Sequence, residues 1–421
     1  MEKQRTIIII GGGFGGLQLA RRLRKTDFRI LLFDKQNHHQ FQPLFYQVAS
    51  SRLEPSTISF PFRKIFQKFP NLDFILAEVI SVNPGENEIT TSIGNFKYDF
   101  LVIASGCKTN YFGNKELENN CLPMKTTGDA IEIRNRILLG FEKYISTRED
   151  DKDSFLNIVI VGAGPTGVEL AGAFAEMKNN ILPKDYPHNN FSKLRIILLE
   201  GSSNTLNNMS DASKKASMKY LIELGVSVIT GVFVKSYDGE KVSLSNGETI
   251  RSRNVIWAAG VTGSIIDGID KESTTKSGRY IVDRYNQVLG YSNIFSIGDI
   301  AYMETPLYPH GHPQVANVAI NQGKNLAFNL KNKISGKPLR EYEYKDLGSM
   351  ATIGKHRAVV DLPFMRFKGY FAWFIWMFLH LMLILSVKNK LLIFINWAWY
   401  YLTKDSSLRL IIDAGGNKNK L

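Results

Sequence analysis

Cysteine is almost absent from this 421-residue chain: Cys107 and Cys121 are the only two. Thirteen residues lie between them, so they form neither a CxxC pair nor part of a zinc-ligand spacing, and neither a disulfide framework nor a metal site is expected. A reduced, cytoplasmic setting fits this usage. Glu2-Lys3-Gln4-Arg5 runs directly into Ile7-Ile8-Ile9-Ile10 and a glycine loop. No secretory signal with its apolar core and cleavage site is therefore expected there, and the apolar run reads as a strand. Acids are also short, 39 against 52 Lys and Arg, for a net charge of +13. Such an excess suits nucleic acid or an anionic membrane surface. Its placement decides between them: residues 363–421 carry eight Lys or Arg against two Asp, together with Trp373, Trp376, Trp397 and Trp399. Basic residues mixed with Trp, Phe and Leu point to a membrane interface and away from nucleic acid.

What the chain does have is glycine in two matching loops. Gly11-Gly12-Gly13-Phe14-Gly15-Gly16 and Gly162-Ala163-Gly164-Pro165-Thr166-Gly167 each follow a β-branched run and open a helical stretch. In the first unit a helix through Leu17, Ala20 and Leu23 leads to Arg29-Ile30-Leu31-Leu32-Phe33, ending on Asp34 and Lys35. In the second, a helix through Val168-Glu169-Leu170-Ala171 leads to a strand over 194–199, ending on Glu200. A glycine loop between strand and helix, with an acid after the next strand, is the arrangement that lets backbone approach a pyrophosphate while the acid takes ribose hydroxyls. Two such units in one chain of this length predict two dinucleotide-binding domains, and electrons passing from a nicotinamide to a tightly held flavin. A carboxylate at Glu200 repels a 2′-phosphate, so NADH is expected over NADPH.

The units repeat further. Tyr98-Asp99-Phe100-Leu101-Val102-Ile103-Ala104-Ser105-Gly106 and Asn254-Val255-Ile256-Trp257-Ala258-Ala259-Gly260 are apolar runs ending in small residues, read as core strands followed by cofactor-edge loops. Ile294-Phe295-Ser296-Ile297-Gly298-Asp299 is another strand ending on an acid, followed by a helix over 314–330. The closing segment holds nineteen residues without formal charge, 369–387, then Lys388-Asn389-Lys390 and an aromatic stretch over 391–402. Nineteen residues meet the length of a transmembrane helix. Basic residues flank that run on both sides, so two helices lying in the interface are an equally economical reading. At about 1 kcal/mol for each basic residue near an anionic leaflet, the tail's charge is a substantial attraction.

Taken together these motifs resemble the type II, non-proton-pumping NADH:quinone oxidoreductases. The residues that carry the likeness are both glycine loops, Gln42-Pro43-Leu44-Phe45-Tyr46-Gln47-Val48-Ala49, Gly167-Val168-Glu169-Leu170-Ala171-Gly172, Ser296-Ile297-Gly298-Asp299, the run YKDLGSMATIG over 344–354, and the aromatic basic tail. The resemblance implies an α/β fold with two Rossmann-like domains and a C-terminal amphipathic helical anchor. The FAD domain would take 1–122 and 289–343, the NADH domain 123–288, and the membrane-associated region 344–421. It implies FAD on Gly11, Gly13, Phe14, Gly15, Gly16, Asp34, Lys35, Ser105, Gly106, Asp299 and Ala316. NADH would lie on Gly162, Gly164, Thr166, Gly167, Glu200, Ala259 and Gly260, with Glu169 near the nicotinamide and flavin to manage a proton or charge. On the quinone side the family's Ala-Gln-x-Ala-x-Gln-Gln/Glu helix becomes Ala316-Asn317-Val318-Ala319-Ile320-Asn321-Gln322. Both family glutamines are Asn here; each keeps its amide but is one methylene shorter, so a quinone carbonyl would sit closer or be reached through water.

The implied partners are NADH, a membrane quinone and an anionic bilayer surface, on the cytoplasmic face of a plasma membrane; a homodimer is compatible. Two other readings remain: a flavoprotein with a disulfide or sulfide acceptor, which the cysteine positions disfavour, and a membrane-bound NADH sensor without turnover.

Overall fold

The computed structural model describes residues 4–147, 152–406 and 408–412. They form two compact units, one of residues 4–40, 60–108 and 261–346, the other of 41–59, 109–260 and the described part of 347–421. The stretches 41–59 and 109–122, within the 1–122 segment assigned to the FAD domain from the sequence, pack in the second unit, while 261–288 of the expected NADH domain and 344–346 of the expected tail pack in the first.

In the first unit Thr6–Ile10 is the middle strand of a five-stranded sheet ordered Ile294–Ser296, Phe100–Ile103, Thr6–Ile10, Arg29–Asp34, Leu72–Leu76. Every neighbouring pair is parallel, with Ile8 opposite Leu31 on one side and Leu101 on the other. Parallel strands covered on both faces need continuous apolar sequence, and Ile7, Ile8 and Ile9 have no exposed surface. The second unit repeats the plan: Leu122–Pro123, Asn254–Trp257, Asn157–Val161, Arg195–Glu200, Val226–Thr230. Ile160 lies opposite Leu198 and Ile256, again all parallel. In each sheet the central strand feeds the glycine loop, with the acid-bearing strand on one side and the small-residue strand on the other. That edge is the switch point where open α/β sheets take ligands.

The predicted elements have close counterparts. The helix expected over 314–330 is Ala316–Ile334, and the helix after the second loop is Pro165–Glu176. The apolar run 369–387 does not form one helix. Tyr370–Leu383 stops after 14 residues, the chain is extended at Ile384, and a second helix, Val387–Thr403, follows. At 1.5 Å per residue the first is about 21 Å long, against a hydrocarbon thickness of about 30 Å. Among the described residues no helix is long and apolar enough to cross a membrane. Of the two readings of this run, the one of two interfacial helices is the one that stands: a count of uncharged residues says nothing of where backbone hydrogen bonding stops.

Candidate dinucleotide sites and a buried acid cluster

The two glycine loops are alike in detail. Gly11 and Gly162 have φ of +100° and +101°, a conformation that side chains disfavour. A Cβ at Gly16 would overlap the Gly11 carbonyl oxygen, and one at Gly167 would overlap that of Gly162. The helices Phe14–Leu23 and Pro165–Glu176 both begin without a side-chain cap and without an acid in the first turn. Gly13 and Gly164, the residues before them, have nothing within 4 Å of where a Cβ would stand. Open space in front of uncapped first-turn amides fits a pyrophosphate in each unit. Thr166 is exposed at the second helix start.

The acids are held identically. Asp34 accepts from Gly12 N–H at 2.7 Å and from Gln36 N–H at 2.8 Å. Glu200 accepts from Ala163 N–H at 2.7 Å and from Ser202 N–H at 2.9 Å. Each carboxylate pins its loop, and each has acceptor capacity left for ribose hydroxyls. Burial raises the Asp34 pKa against its two backbone hydrogen bonds. Lys35 forms a surface ion pair with Glu78 at 2.9 Å. Sequence reading missed His39: its Nδ1 donates to the Gly12 carbonyl at 3.0 Å, its ring packs edge-on to Phe14, and burial lowers its pKa to about 4. A neutral His39 thus braces the loop from beneath.

Around the first loop, Gly106 has φ +70°, and Ser105 Oγ donates to the Ser264 carbonyl at 2.8 Å. Asp299 sits in the turn Gly298–Ile300 and accepts from Cys107 Sγ at 3.1 Å. The helix Ala316–Ile334 ties this turn down from two sides. Gln322 Oε1 accepts from Gly298 N–H at 2.7 Å, and Gln314 Nε2, just before the helix, donates to the Asp299 carbonyl at 2.9 Å. A Cβ on Gly323 would lie 2.6 Å from the Gly15 carbonyl oxygen, so the two helices touch through backbone, with Ala316 at the first turn. Gln322 is fully buried, whereas Asn317 and Asn321, one turn apart, share a partly exposed face. Asn321 Oδ1 accepts from Lys324 Nζ at 3.2 Å. In the second unit the Ala258-Ala259-Gly260 turn lies against the loop: a Cβ on Gly162 would be 2.7 Å from the Ala258 carbonyl oxygen, and Gly260 has φ +99°.

Glu169 lies beyond the first turn of its helix, so the helix dipole does not account for it. It is buried and accepts from Thr352 N–H at 3.2 Å. The helix approaches the backbone just after Thr352 closely because Gly172 has no side chain: a Cβ there would be 2.8 Å from Gly354 N. Burial pushes the Glu169 pKa from the usual 4.5 to about 8, opposed by the Thr352 amide and by the neighbouring Trp376 indole, whose buried Nε1 has no partner within hydrogen-bond geometry. A chain of polar side chains leads away: Thr352 Oγ1 to Tyr46 OH at 3.0 Å, Gln47 Nε2 to Tyr46 OH at 2.9 Å, Trp397 Nε1 to Gln47 Oε1 at 2.7 Å. His380 stacks on Trp376 at 4.1 Å, donates from Nδ1 to its carbonyl, and is held neutral by burial, with a pKa of about 4. None of these partners was legible around Glu169; the motif over 344–354 was recognised only as a family signature.

A raised carboxyl pKa makes folding take up a proton. The Glu169 contribution is present below about pH 4.5 and is lost as pH rises through about 8. Glu169→Gln is expected to remove this dependence. The stability difference between variant and wild type should move by about 4 kcal/mol in the variant's favour between pH 4.5 and 8.5, read by denaturant unfolding at each pH.

Duplicated loops, locked acids and open, uncapped helix starts define a pyridine-nucleotide flavoprotein oxidoreductase. The pyridine nucleotide-disulphide oxidoreductase family matches residues 5–323, and the NDH2 C-terminal domain matches 347–404. The type II NADH:quinone oxidoreductase Ndh of Mycobacterium tuberculosis is 32% identical over 417 residues, covering 95% of this chain and 89% of that one. The chain belongs to the type II NADH:quinone oxidoreductase family. In fold it is similar to NDH2 of Plasmodium falciparum solved with NADH (TM-score 0.88, 21% identity, 98% and 100% of the two chains). The sulfide:quinone oxidoreductase of Aquifex aeolicus is also similar in fold (TM-score 0.73, 24% identity, 92% of each chain).

Proposed function

We propose, from the observation that both units present an open, uncapped helix start beside an anchored carboxylate, that Gly11 to Gly16 with Asp34 hold FAD and Gly162 to Gly167 with Glu200 hold NADH. FAD, when bound, supplies the hydride acceptor and the two-electron donor to quinone. The chain's own residues position and protonate. The loop amides take the pyrophosphates, and the acids orient the riboses. Asp299, kept in place by Gln322, Gln314 and the Cys107 thiol, would hold the flavin side chain. Glu169, with a pKa of about 8, holds a proton near neutral pH and can release it. Asn317 and Asn321 present amides to the quinone head.

The C-terminal helices meet the membrane. Phe371, Phe378 and Met382 are exposed on the first, at 61%, 61% and 55%, and recur at helical spacing. Leu391, Ile395 and Trp399 do so on the second, while Trp376 and Trp397 face inward. Phe364 is 96% exposed beside the exposed Arg366 and Lys368. An apolar face rimmed by basic residues lies in the interface of an anionic leaflet, here the cytoplasmic face of a plasma membrane. Cosedimentation of the FAD-loaded protein with anionic but not zwitterionic vesicles supports this reading; equal partition to both removes the anionic requirement.

Disulfide and sulfide chemistry need a reactive cysteine pair. Burial raises the Cys121 pKa to about 12, which leaves almost no thiolate at neutral pH. The double variant Cys107→Ser, Cys121→Ser should keep at least half of NADH:quinone turnover, because serine also donates to Asp299. Turnover is measured with a short-chain quinone. A variant that holds FAD yet has lost turnover would return a cysteine acceptor to contention, and a wild type never reoxidised by any quinone would favour a sensor.

A further inference from the structure

On the first unit, the end of the helix Phe14–Leu23 and the middle of Ala316–Ile334 enclose a concavity of about 430 Å³ lined by Gln18, Arg21, Arg22, Arg24, Phe69 and Lys324. Four of the six lining side chains are cationic and none is acidic. Arg21 and Arg22 stand in the last helical turn and Arg24 caps it. The dipole favours cations there, which accounts for their presence but not for their convergence with Lys324 from another helix. Among the described residues no ion pair occupies Arg21, Arg22, Arg24 or Lys324; Arg24 lies over the Phe69 ring at 5.6 Å, and Lys324 reaches only the neutral Asn321. Like charges gathered in one hollow repel one another, and an anion relieves that repulsion. Three planar guanidinium groups match phosphate oxygens two at a time.

We propose that this hollow binds a soluble polyphosphate, a ligand with closely spaced phosphate groups. Arg24 covers Phe69, so no free ring face selects a base, and tripolyphosphate and a nucleoside triphosphate bind alike. The site acts on the quinone side. Gln18 lies beside Gly323 at the helix contact, and Lys324 is the only polar partner of the Asn321 side chain among the described residues. A polyphosphate that draws Lys324 away changes how the Asn321 amide is held. This coupling rests on the reading of Asn321 as a quinone contact; the binding itself does not.

Calorimetric titration of the FAD-loaded protein with tripolyphosphate at low salt tests the binding without turnover. One saturable site is expected, undisturbed by saturating NADH, with ATP within about threefold. Losing charge-assisted hydrogen bonds should weaken it at least about tenfold in Arg22→Gln, Arg24→Gln, and to a lesser degree in Arg22→Gln alone. Both variants should keep wild-type melting and quinone turnover in the absence of the anion. No saturable heat, displacement by NADH, or unchanged affinity in the variants overturns the site. A headgroup is the other source of such phosphates: if the double variant loses affinity for phosphatidylglycerol vesicles while tripolyphosphate gives no heat, the soluble ligand is overturned. Tripolyphosphate should raise the quinone KM of the wild type and leave that of the double variant unmoved; binding without a change in KM overturns the coupling.

Discussion

Gly167→Val is expected to leave the flavin in place and remove NADH oxidation, while Gly16→Val loses the flavin itself. Each side chain would start inside a backbone carbonyl, that of Gly162 in one unit and Gly11 in the other. The helix start cannot keep both that carbonyl and a Cβ, so the first-turn amides move off the pyrophosphate. Losing two hydrogen bonds to a charged group costs about 3 kcal/mol or more, over a hundredfold in kcat/KM. Because the two loops belong to separate compact units, the effects should separate. The flavin-to-protein ratio of purified Gly167→Val stays near that of the wild type, and that of Gly16→Val falls. The same loss in both variants would contradict the assignment of one nucleotide to each loop.

Glu200→Arg should reverse the choice of nicotinamide. In the wild type the carboxylate is fixed by Ala163 N–H and Ser202 N–H, and on the proposed placement of NADH it would meet a ribose and set a negative charge where NADPH carries a phosphate. The variant loses the ribose hydrogen bonds, a fall of about 10² to 10³ in kcat/KM for NADH. It also gains a guanidinium that accepts the 2′-phosphate. The ratio of kcat/KM for NADH to that for NADPH is the measurement. A ratio unchanged from the wild type would show that Glu200 serves only its loop.

The places of Asp34 and Glu200 beside their glycine loops were legible from sequence because they depend on short range: strand, loop, helix and next strand are consecutive, and the acid follows at a fixed place. The small-residue turns at Ser105-Gly106 and Ala259-Gly260 were legible for the same reason, since the chain repeats them. Glu169 was legible only in part. Its motif marked it, but its neighbours come from Tyr46, Thr352, Trp376 and Trp397, and 183 residues separate it from the Thr352 amide that it binds. No periodicity carries such pairings. Gln322 illustrates a different limit. Within one helix it is adjacent to Asn321 in sequence, yet it lies about 100° around the axis, where it is buried against Gly298. The tail was legible as a membrane anchor from its composition, but 369–387 has the length of a span, and only the backbone separates the two readings: the helix ends at Leu383 and the chain turns extended at Ile384.

The central claim is that one chain takes hydride from NADH onto FAD and passes the electrons to quinone. Anaerobic addition of one equivalent of NADH to the purified FAD-loaded protein tests it most directly, followed by one equivalent of a short-chain quinone, with flavin absorbance followed near 450 nm. Bleaching by NADH and full recovery on quinone addition is the expected result. A flavin that NADH does not bleach would contradict the claim at its first step, and one that bleaches but no quinone restores would contradict it at its second.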